Sequence, residues 1–403
     1  MKLRCHVLMV HKDYIVIIRK LKSIEYIITD FYFNYMLQLL IKFILVIKMN
    51  DEIKIDILNL AKEFGFLEAK VANMIISQDS QDKFNSWLER NLHGDMYYLA
   101  NNKNLRFNPP MLHDNTLSII CVKIPYLTNN VKSHQQRLLN NQNAYISSYA
   151  LGRDYHKVVK AQLKKYASAI NQYLSNLGLN LEYRVFTDSA PILEVELASN
   201  AGLGFRGKNT LLLNHKEGSL FFLGELFTNL PLKADTNTSS YCGSCQKCLD
   251  VCPTNAFISP YQLDATKCIS YLTIENKGII PIEYRSKIGN RIYGCDDCQL
   301  FCPWNKFSKL TTIKDFDIRH NLDNLSLIEA FQLTLKQWQD LMSGSPIYRI
   351  GYDAWLRNVA VGLGNAPYSQ DIVTVLQQRL QQDLSVMVKE HINWALLEQL
   401  EKA

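Results

Sequence analysis

Between Tyr241 and Trp304 the chain collects eight of its ten cysteines. The first run reads Cys242-x2-Cys245-x2-Cys248-x3-Cys252-Pro253, Cys268 stands alone, and the second run reads Cys295-x2-Cys298-x3-Cys302-Pro303. The first run has the bacterial ferredoxin spacing, in which three thiolates hold one iron–sulfur cluster and the fourth reaches across to another. The second run lacks its first cysteine. Ile292 stands in that place, and Cys268 can substitute. The count then closes at two [4Fe–4S] clusters, one on Cys242, Cys245, Cys248 and Cys302, the other on Cys252, Cys268, Cys295 and Cys298.

Two other uses of thiols compete with that reading. A chain of 403 residues does not need disulfide staples, and cysteines three apart in sequence make poor bridges. Paired Cys-x2-Cys units also build four-thiolate zinc sites, but the crowded Cys248 and the proline after each closing cysteine argue against zinc. Cys5 and Cys121 fall outside the count and read as free buried thiols. Reduced-thiol chemistry points to a cytoplasmic protein.

The formal charge of +6 suggests an anionic partner until it is located. Residues 1–48 hold eight Lys/Arg against three Asp/Glu, and the remainder is nearly neutral at 36 against 35. Net charge therefore argues for no nucleic acid; only a local patch could. Residues 1–48 also contain no Gly and no Pro. Their apolar stretch from Phe31 to Ile47 is at the short limit for a membrane span. The preferred reading is a start at Met49, with 1–48 an extension outside the native protein. Met49 opens directly into an amphipathic helix with Ile53, Ile57, Leu60 and Phe64 at helical spacing, stopped by Gly65.

Residues 49–235 mix helices and strands. Helices are expected over Phe84–Leu99, over Tyr155–Leu177 and from Asp188 through Ala201. Strands are expected over Leu117–Ile124, Leu181–Thr187, Thr210–Asn214 and Ser219–Thr228. Asn104 to Pro110 reads as a loop, and Ala234–Ser240 as the linker into a cysteine domain at 236–315. Residues 316–403 turn helical and suggest two stacked hairpins like HEAT units. The fold class is α+β in three parts: a mixed α/β domain, a ferredoxin-like two-cluster domain and a short helical tail.

Three short motifs need weighing. Gly202-x-Gly204-x-x-Gly207 has the letters of a dinucleotide fingerprint, but a helix precedes it and a strand follows, the reverse of what that site needs. It reads instead as a turn giving close backbone approach to a bulky ligand. Asp188-Ser189 before Pro191 reads as a helix N-terminus whose carboxylate could also face a pocket. Asp154-x-His156 begins like a cobalt-ligating histidine motif, yet Val159 stands where that motif needs Gly. His156 then packs or hydrogen-bonds on its own helix.

Four segments together resemble the epoxyqueuosine reductase family from about Met49 to near the C-terminus. They are Val185 to Glu194, Ala201 to Thr210, Cys242-Gly243-x-Cys245-x-x-Cys248, and Tyr293-Gly294-Cys295-Asp296-x-Cys298-Gln299. The resemblance implies cobalamin beside the two clusters, and removal of the epoxide oxygen of epoxyqueuosine at the tRNA wobble position, giving queuosine as the last step of its biosynthesis. It makes Asp188 the proton donor, with an expected raised pKa from desolvation. Arg106, Asp188, Leu212, Leu223, Ser270 and Asp296 match cobalamin-contacting positions; where some relatives place a cysteine beside the corrin, this chain has Ser147.

The implied partners are tRNA carrying epoxyqueuosine and an electron-donor protein of flavodoxin or ferredoxin type, with no membrane and a monomeric chain. Seven Lys/Arg against three acids between Lys277 and Lys314, with Arg349 and Arg357 in the tail, are the expected tRNA-holding positions. Another corrinoid iron–sulfur reductase, of the reductive dehalogenase kind, would normally carry a twin-arginine leader and lack the tail. A ferredoxin-type carrier would leave residues 49–235 without a purpose.

Overall fold

The eight residues Ser118–Pro125 are all buried, as a β-branched apolar run in the middle of a sheet must be. The computed structural model, which describes residues 51–403, places this strand (β2) second in a sheet of four. Its companions are β1 (Glu68–Ala72), β3 (Tyr183–Phe186) and β4 (Phe221–Thr228), in the order β1-β2-β4-β3, every pair antiparallel. Helix α1 (Tyr155–Ser175) covers one face. Gly224 lets β4 approach it, since a Cβ there would sit 2.9 Å from Leu163 and 3.2 Å from Val159. Helix α2 (Glu194–Asn200) covers the other face over Cys121, Phe186 and Phe227.

Several boundaries move from their sequence expectations. The helix expected over Phe84–Leu99 is Gln78–Glu89 followed by turns, begun by the Ser77 cap. The expected loop at Asn104–Pro110 holds a short helix, Lys103–Phe107, and a 3-10 turn, Pro109–Leu112. Asp188 does not start a helix. Its φ is +52°, and the chain makes a further loop before α2 begins at Glu194. Residues 51–60 are helical and lead into a 3-10 turn closed by Gly65 at φ +82°. The expectations for residues 1–48 lie outside the described residues.

The glycine-rich segment 202–207 makes its close approaches to protein, in contrast to the ligand approach expected from sequence. A Cβ on Gly202 would lie 2.2 Å from the Thr236 carbonyl, and one on Gly204 2.4 Å from the Leu213 carbonyl. The 234–240 linker is thereby strapped down, and Asp235 exchanges hydrogen bonds with Val71 at the sheet edge.

Residues 55–403 pack as one compact unit. A large apolar core joins the cysteine region to the C-terminal helices α3 (Tyr352–Asn365), α4 (Gln370–Leu380) and α5 (Val386–Glu401). Ile292, at the place of the missing cysteine, is fully buried in that core on a short strand, Arg291–Tyr293, that pairs in parallel with Tyr145–Ile146. Among the described residues no helix is long and apolar enough to cross a membrane.

Arg357 is not a phosphate contact. It is 0% exposed and donates to the carbonyls of Leu272, Asn276 and Gly278 and to Asn358 Oδ1. Asn358 donates in turn to the carbonyls of Thr273 and Ile292. The pair bolts α3 to the segment that follows Cys268. Arg357→Met should lower unfolding stability of the cluster-loaded protein by about 3 kcal/mol, because it leaves buried carbonyls without donors. Urea unfolding measures it, and an unchanged midpoint would make the bolt dispensable.

Candidate active site and cluster ligands

The cysteines come together in two groups. Cys302 lies close enough to Cys242 and Cys245 for their charges to act on it, and Cys248 faces Cys302, Cys242 and Cys245. Cys268 faces Cys252, Cys295 faces Cys268, and Cys298 faces Cys268 and Cys252. Cys298 also lies near Cys248, so the groups are adjacent. Cys245 is exposed to solvent. Lys208 holds the first loop by donating to the carbonyls of Gly243 (2.7 Å) and Cys245 (2.8 Å), and Asn209 donates to the carbonyl of Cys298. These roles for Lys208 and Asn209 were not readable from the sequence.

A second constellation forms where β3 ends. Thr187 Oγ1 donates to the Leu223 carbonyl and fixes the exit of the strand, so that Asp188 follows at the sheet's edge. The Asp188 carboxylate, about half exposed, accepts from Tyr155 Oη and lies 3.3 Å from His156 Nε2. Tyr155 is held by stacking on Phe222 at 4.3 Å, with the rings 4° from parallel. His156 Nδ1 meets Asp154 Oδ1 at 2.9 Å, and Arg349 from the helical region clamps both Asp154 oxygens at 2.9 and 2.8 Å.

Most charges in this chain of contacts support one another, while that of Arg349 opposes the proton on His156. Burial opposes ionisation of Asp154, but hydrogen bonds from His156 and Arg349 outweigh it and hold its pKa at about 2. Burial opposes the charged imidazole too, and contacts with Asp154 and Asp188 still raise His156 above its ordinary value. Asp188 is a correction to the sequence reading. Desolvation does push its carboxyl up, as expected, but the His156 and Tyr155 hydrogen bonds pull harder and leave its pKa below the ordinary value. The arrangement sets an Asp188 carboxylate against a His156 ring whose charged form is favoured.

Sequence reasoning put Asp188 here but kept His156 on its own helix. It missed Tyr155 altogether and took Arg349 for a tRNA contact. The signal for His156 was present in Asp154-x-His156, whose spacing sets one residue as the helix cap and lets the other face it. Of the basic run at 277–314, Arg285 is spent on Glu390 and Arg291 on Asp297, both within the fold.

The six cofactor positions divide. Arg106 is buried, its Nε finds no partner among the described residues, and its Nη2 donates to the Tyr98 carbonyl at 3.3 Å. Tyr98 in turn feels the charge of Asp188. Leu212 and Leu223 share an apolar cluster with Phe107 and Leu112, which brings the Arg106 segment to the same wall. Ser270 sits on the short helix after Cys268, whose Thr273 accepts the Gly294 N–H beside Cys295. Asp296 spends its carboxylate inward, on Tyr145 Oη, Ser147 Oγ and the Ser148 N–H. A buried guanidinium with an unpartnered Nε against an apolar wall fits a large, flat ligand rimmed with amide and phosphate acceptors, as cobalamin is.

Asp154→Asn should lower the pKa of His156, because it removes the carboxylate charge that holds the proton there. Titrating the His156 ring by NMR tests this; an unmoved pKa would show that Asp154 does not act on it.

The chain matches two family models: a 4Fe-4S double cluster binding domain over residues 241–305 and the epoxyqueuosine reductase QueG model over residues 106–189. It is 46% identical over 336 residues to the epoxyqueuosine reductase of Pseudomonas aeruginosa, covering 83% of this chain and 91% of that one. The fold matches a Bacillus subtilis epoxyqueuosine reductase whose catalytic aspartate loop is swung out of the active site. That match has a TM-score of 0.75 and 23% identity, over 87% of this chain and 91% of that one. It also matches an epoxyqueuosine reductase solved with an epoxyqueuosine-modified tyrosine tRNA stem loop. Here the TM-score is 0.72 and the identity 22%, over 87% of this chain and all of that one.

Proposed function

The chain belongs to the epoxyqueuosine reductase family, and from that premise we propose how its own residues divide the work of reducing epoxyqueuosine to queuosine in tRNA. The observation that carries the reading is a proton-bearing site, Asp188 with Tyr155 and His156, built in one fold with two groups of four cysteines.

Turning an epoxide into an alkene consumes two electrons and two protons and releases water. The electrons enter from a donor protein of flavodoxin or ferredoxin type. One cluster is bound by Cys242, Cys245, Cys248 and Cys302, the other by Cys252, Cys268, Cys295 and Cys298. Exposed Cys245 marks the entry side. Cobalamin, when bound, supplies the reducing cobalt centre beside the substrate. Arg106, Leu212, Leu223, Ser270, Asp296 and Asp188 are the residues that would hold it. The enzyme works as a monomer in the cytoplasm.

Asp188 gives up a proton to the departing epoxide oxygen. Since its own carboxyl is ionised at neutral pH, the proton it passes on resides on His156, one hydrogen bond away. Tyr155 donates to the same carboxylate and orients it. Asp154 favours the charged imidazole, and Arg349, whose own charge opposes that proton, holds Asp154 in place. Because Arg349 comes from the C-terminal region, tRNA held by that region and the proton relay share one scaffold.

Asp188→Asn should cut turnover about 1,000-fold, the scale of a lost general acid, with iron, sulfide and cobalamin content unchanged. Nucleoside mass spectrometry of epoxyqueuosine-bearing tRNA reads the outcome, and full activity would remove Asp188 from the role. The His156 pKa is raised, so its proton is present at acid pH and lost as pH rises through the folded value. Activity should therefore fall as pH rises through that folded value. Cys268→Ser should remove one of the two clusters, seen as loss of about half the bound iron; full iron content would exclude Cys268 as a ligand.

A further inference from the structure

Behind Asp188 lies a pair of carboxyls that the reaction as described leaves unused. Glu225, in the middle of β4, pairs with Cys121 on β2 and Phe186 on β3 and faces the apolar layer under α2. It is 0% exposed, and neither of its oxygens meets an N–H or O–H donor among the described residues. What lies within hydrogen-bonding reach is the carboxyl of Glu194, the first residue of α2. Two carboxylates touching in such a place cannot both be ionised. The contact is a bond only if a proton lies between them. Glu194 Oε1 also accepts the backbone N–H of Asp188 at 2.5 Å. That amide belongs to a residue at φ +52°, a left-handed conformation costing a non-glycine residue about 1 kcal/mol, which surrounding contacts must hold in place.

We propose that Glu194 and Glu225 share one proton and act together as a clasp on the backbone of Asp188, keeping the loop where its carboxyl meets Tyr155 and His156. Glu225 is the buried donor and Glu194 the acceptor that reaches the loop. Both are positioning residues. The inference rests on the reading of Asp188 as proton donor.

The groups facing the pair are Asp188 on the loop, Tyr155 and His156 on α1, and Cys121 on β2. Burial and the Asp188 charge push Glu194 up to about 8, and burial with the Glu194 charge pushes Glu225 well above its ordinary value. For carboxyls raised in the folded state, the stability contributed by the shared proton is complete below the unfolded pKa. It is lost as pH rises through the folded one. When the pair loses its last proton a second negative charge appears inside it and the clasp opens.

The decisive comparison is Glu225→Gln with Glu225→Leu in the cofactor-loaded enzyme. The amide of Gln can still donate to Glu194 but cannot ionise; Leu does neither. Glu225→Gln should keep most of the turnover and show a melting midpoint that stays flat where the parent's falls, above about pH 8. Glu225→Leu should lose about 10-fold or more in kcat with KM for tRNA within about twofold, as expected for a misplaced catalytic group. If Glu225→Leu does not fold, Glu194→Gln, whose carbonyl still accepts the Asp188 N–H, is compared with Glu194→Ala, which should show the loss. Equal losses in the conservative and non-conservative variants with unchanged pH profiles, or full activity in Glu225→Leu, would overturn the clasp. Full activity of Asp188→Asn would instead overturn the reading beneath it.

Discussion

The interaction on which most of this structure turns is the exchange of fourth cysteines between two short runs. Cys302 closes against Cys242, Cys245 and Cys248, while Cys252 faces Cys268 and Cys298. Neither run can be completed by its own neighbours, so residues 242–252 and 295–302 must lie side by side before either group exists. The two runs themselves hold only single helical turns, Lys247–Asp250 and Asp297–Leu300. Binding free energy at such groups is therefore folding free energy for the segment around them. Lys208 and Asn209 add main-chain bracing from the α/β region, which makes the cysteine groups a joint between the two regions.

The same joint explains what the C-terminal helices do. Their arginines looked alike in the sequence and have opposite uses. Arg357 is swallowed whole and ties α3 to carbonyls beside Cys268. Arg349, half-exposed on its 3-10 turn, reaches the Asp154–His156 pair. A cation with several carbonyls in reach and no water is structural. One set against a carboxylate and an imidazole at the rim of an open site tunes charge. Only the surroundings distinguish them.

That is also the limit of what the sequence could tell. Cysteine spacing is a local code, so the two groups, with Cys268 beside Cys252, Cys295 and Cys298, were legible residue by residue. Apolar runs placed β2, β4 and α1 within a residue or two. Asp188 was legible as a site but not as a conformation, because Pro191 three residues on imitates a helix start while the chain makes a left-handed turn first. The network around it was not legible. Asp154, His156, Asp188 and Arg349 span nearly 200 residues of sequence, and their pKa values depend on which of them touch. The glycines of 202–207 misled for a related reason: close backbone approach was correctly inferred, but whether ligand or protein approaches is a tertiary fact.

A carboxyl that must donate a proton is ordinarily expected to be hydrophobically caged so that it stays protonated. Asp188 is placed the other way, with two donors on its oxygens and about half its side chain open. The burial is concentrated one layer back, on Glu194 and Glu225. That separation resolves a conflict. A fully desolvated Asp188 would hold its proton but could not open to admit a tRNA nucleotide without rehydrating each time. An ionised Asp188 beside His156, whose charged form is favoured, keeps a proton within one hydrogen bond and can meet solvent at little cost. The desolvation energy instead goes into a pair that never leaves the core and whose contact with the loop is a backbone amide. On this view substrate entry perturbs only the outer layer, and the inner pair returns the loop to the geometry in which a proton can move.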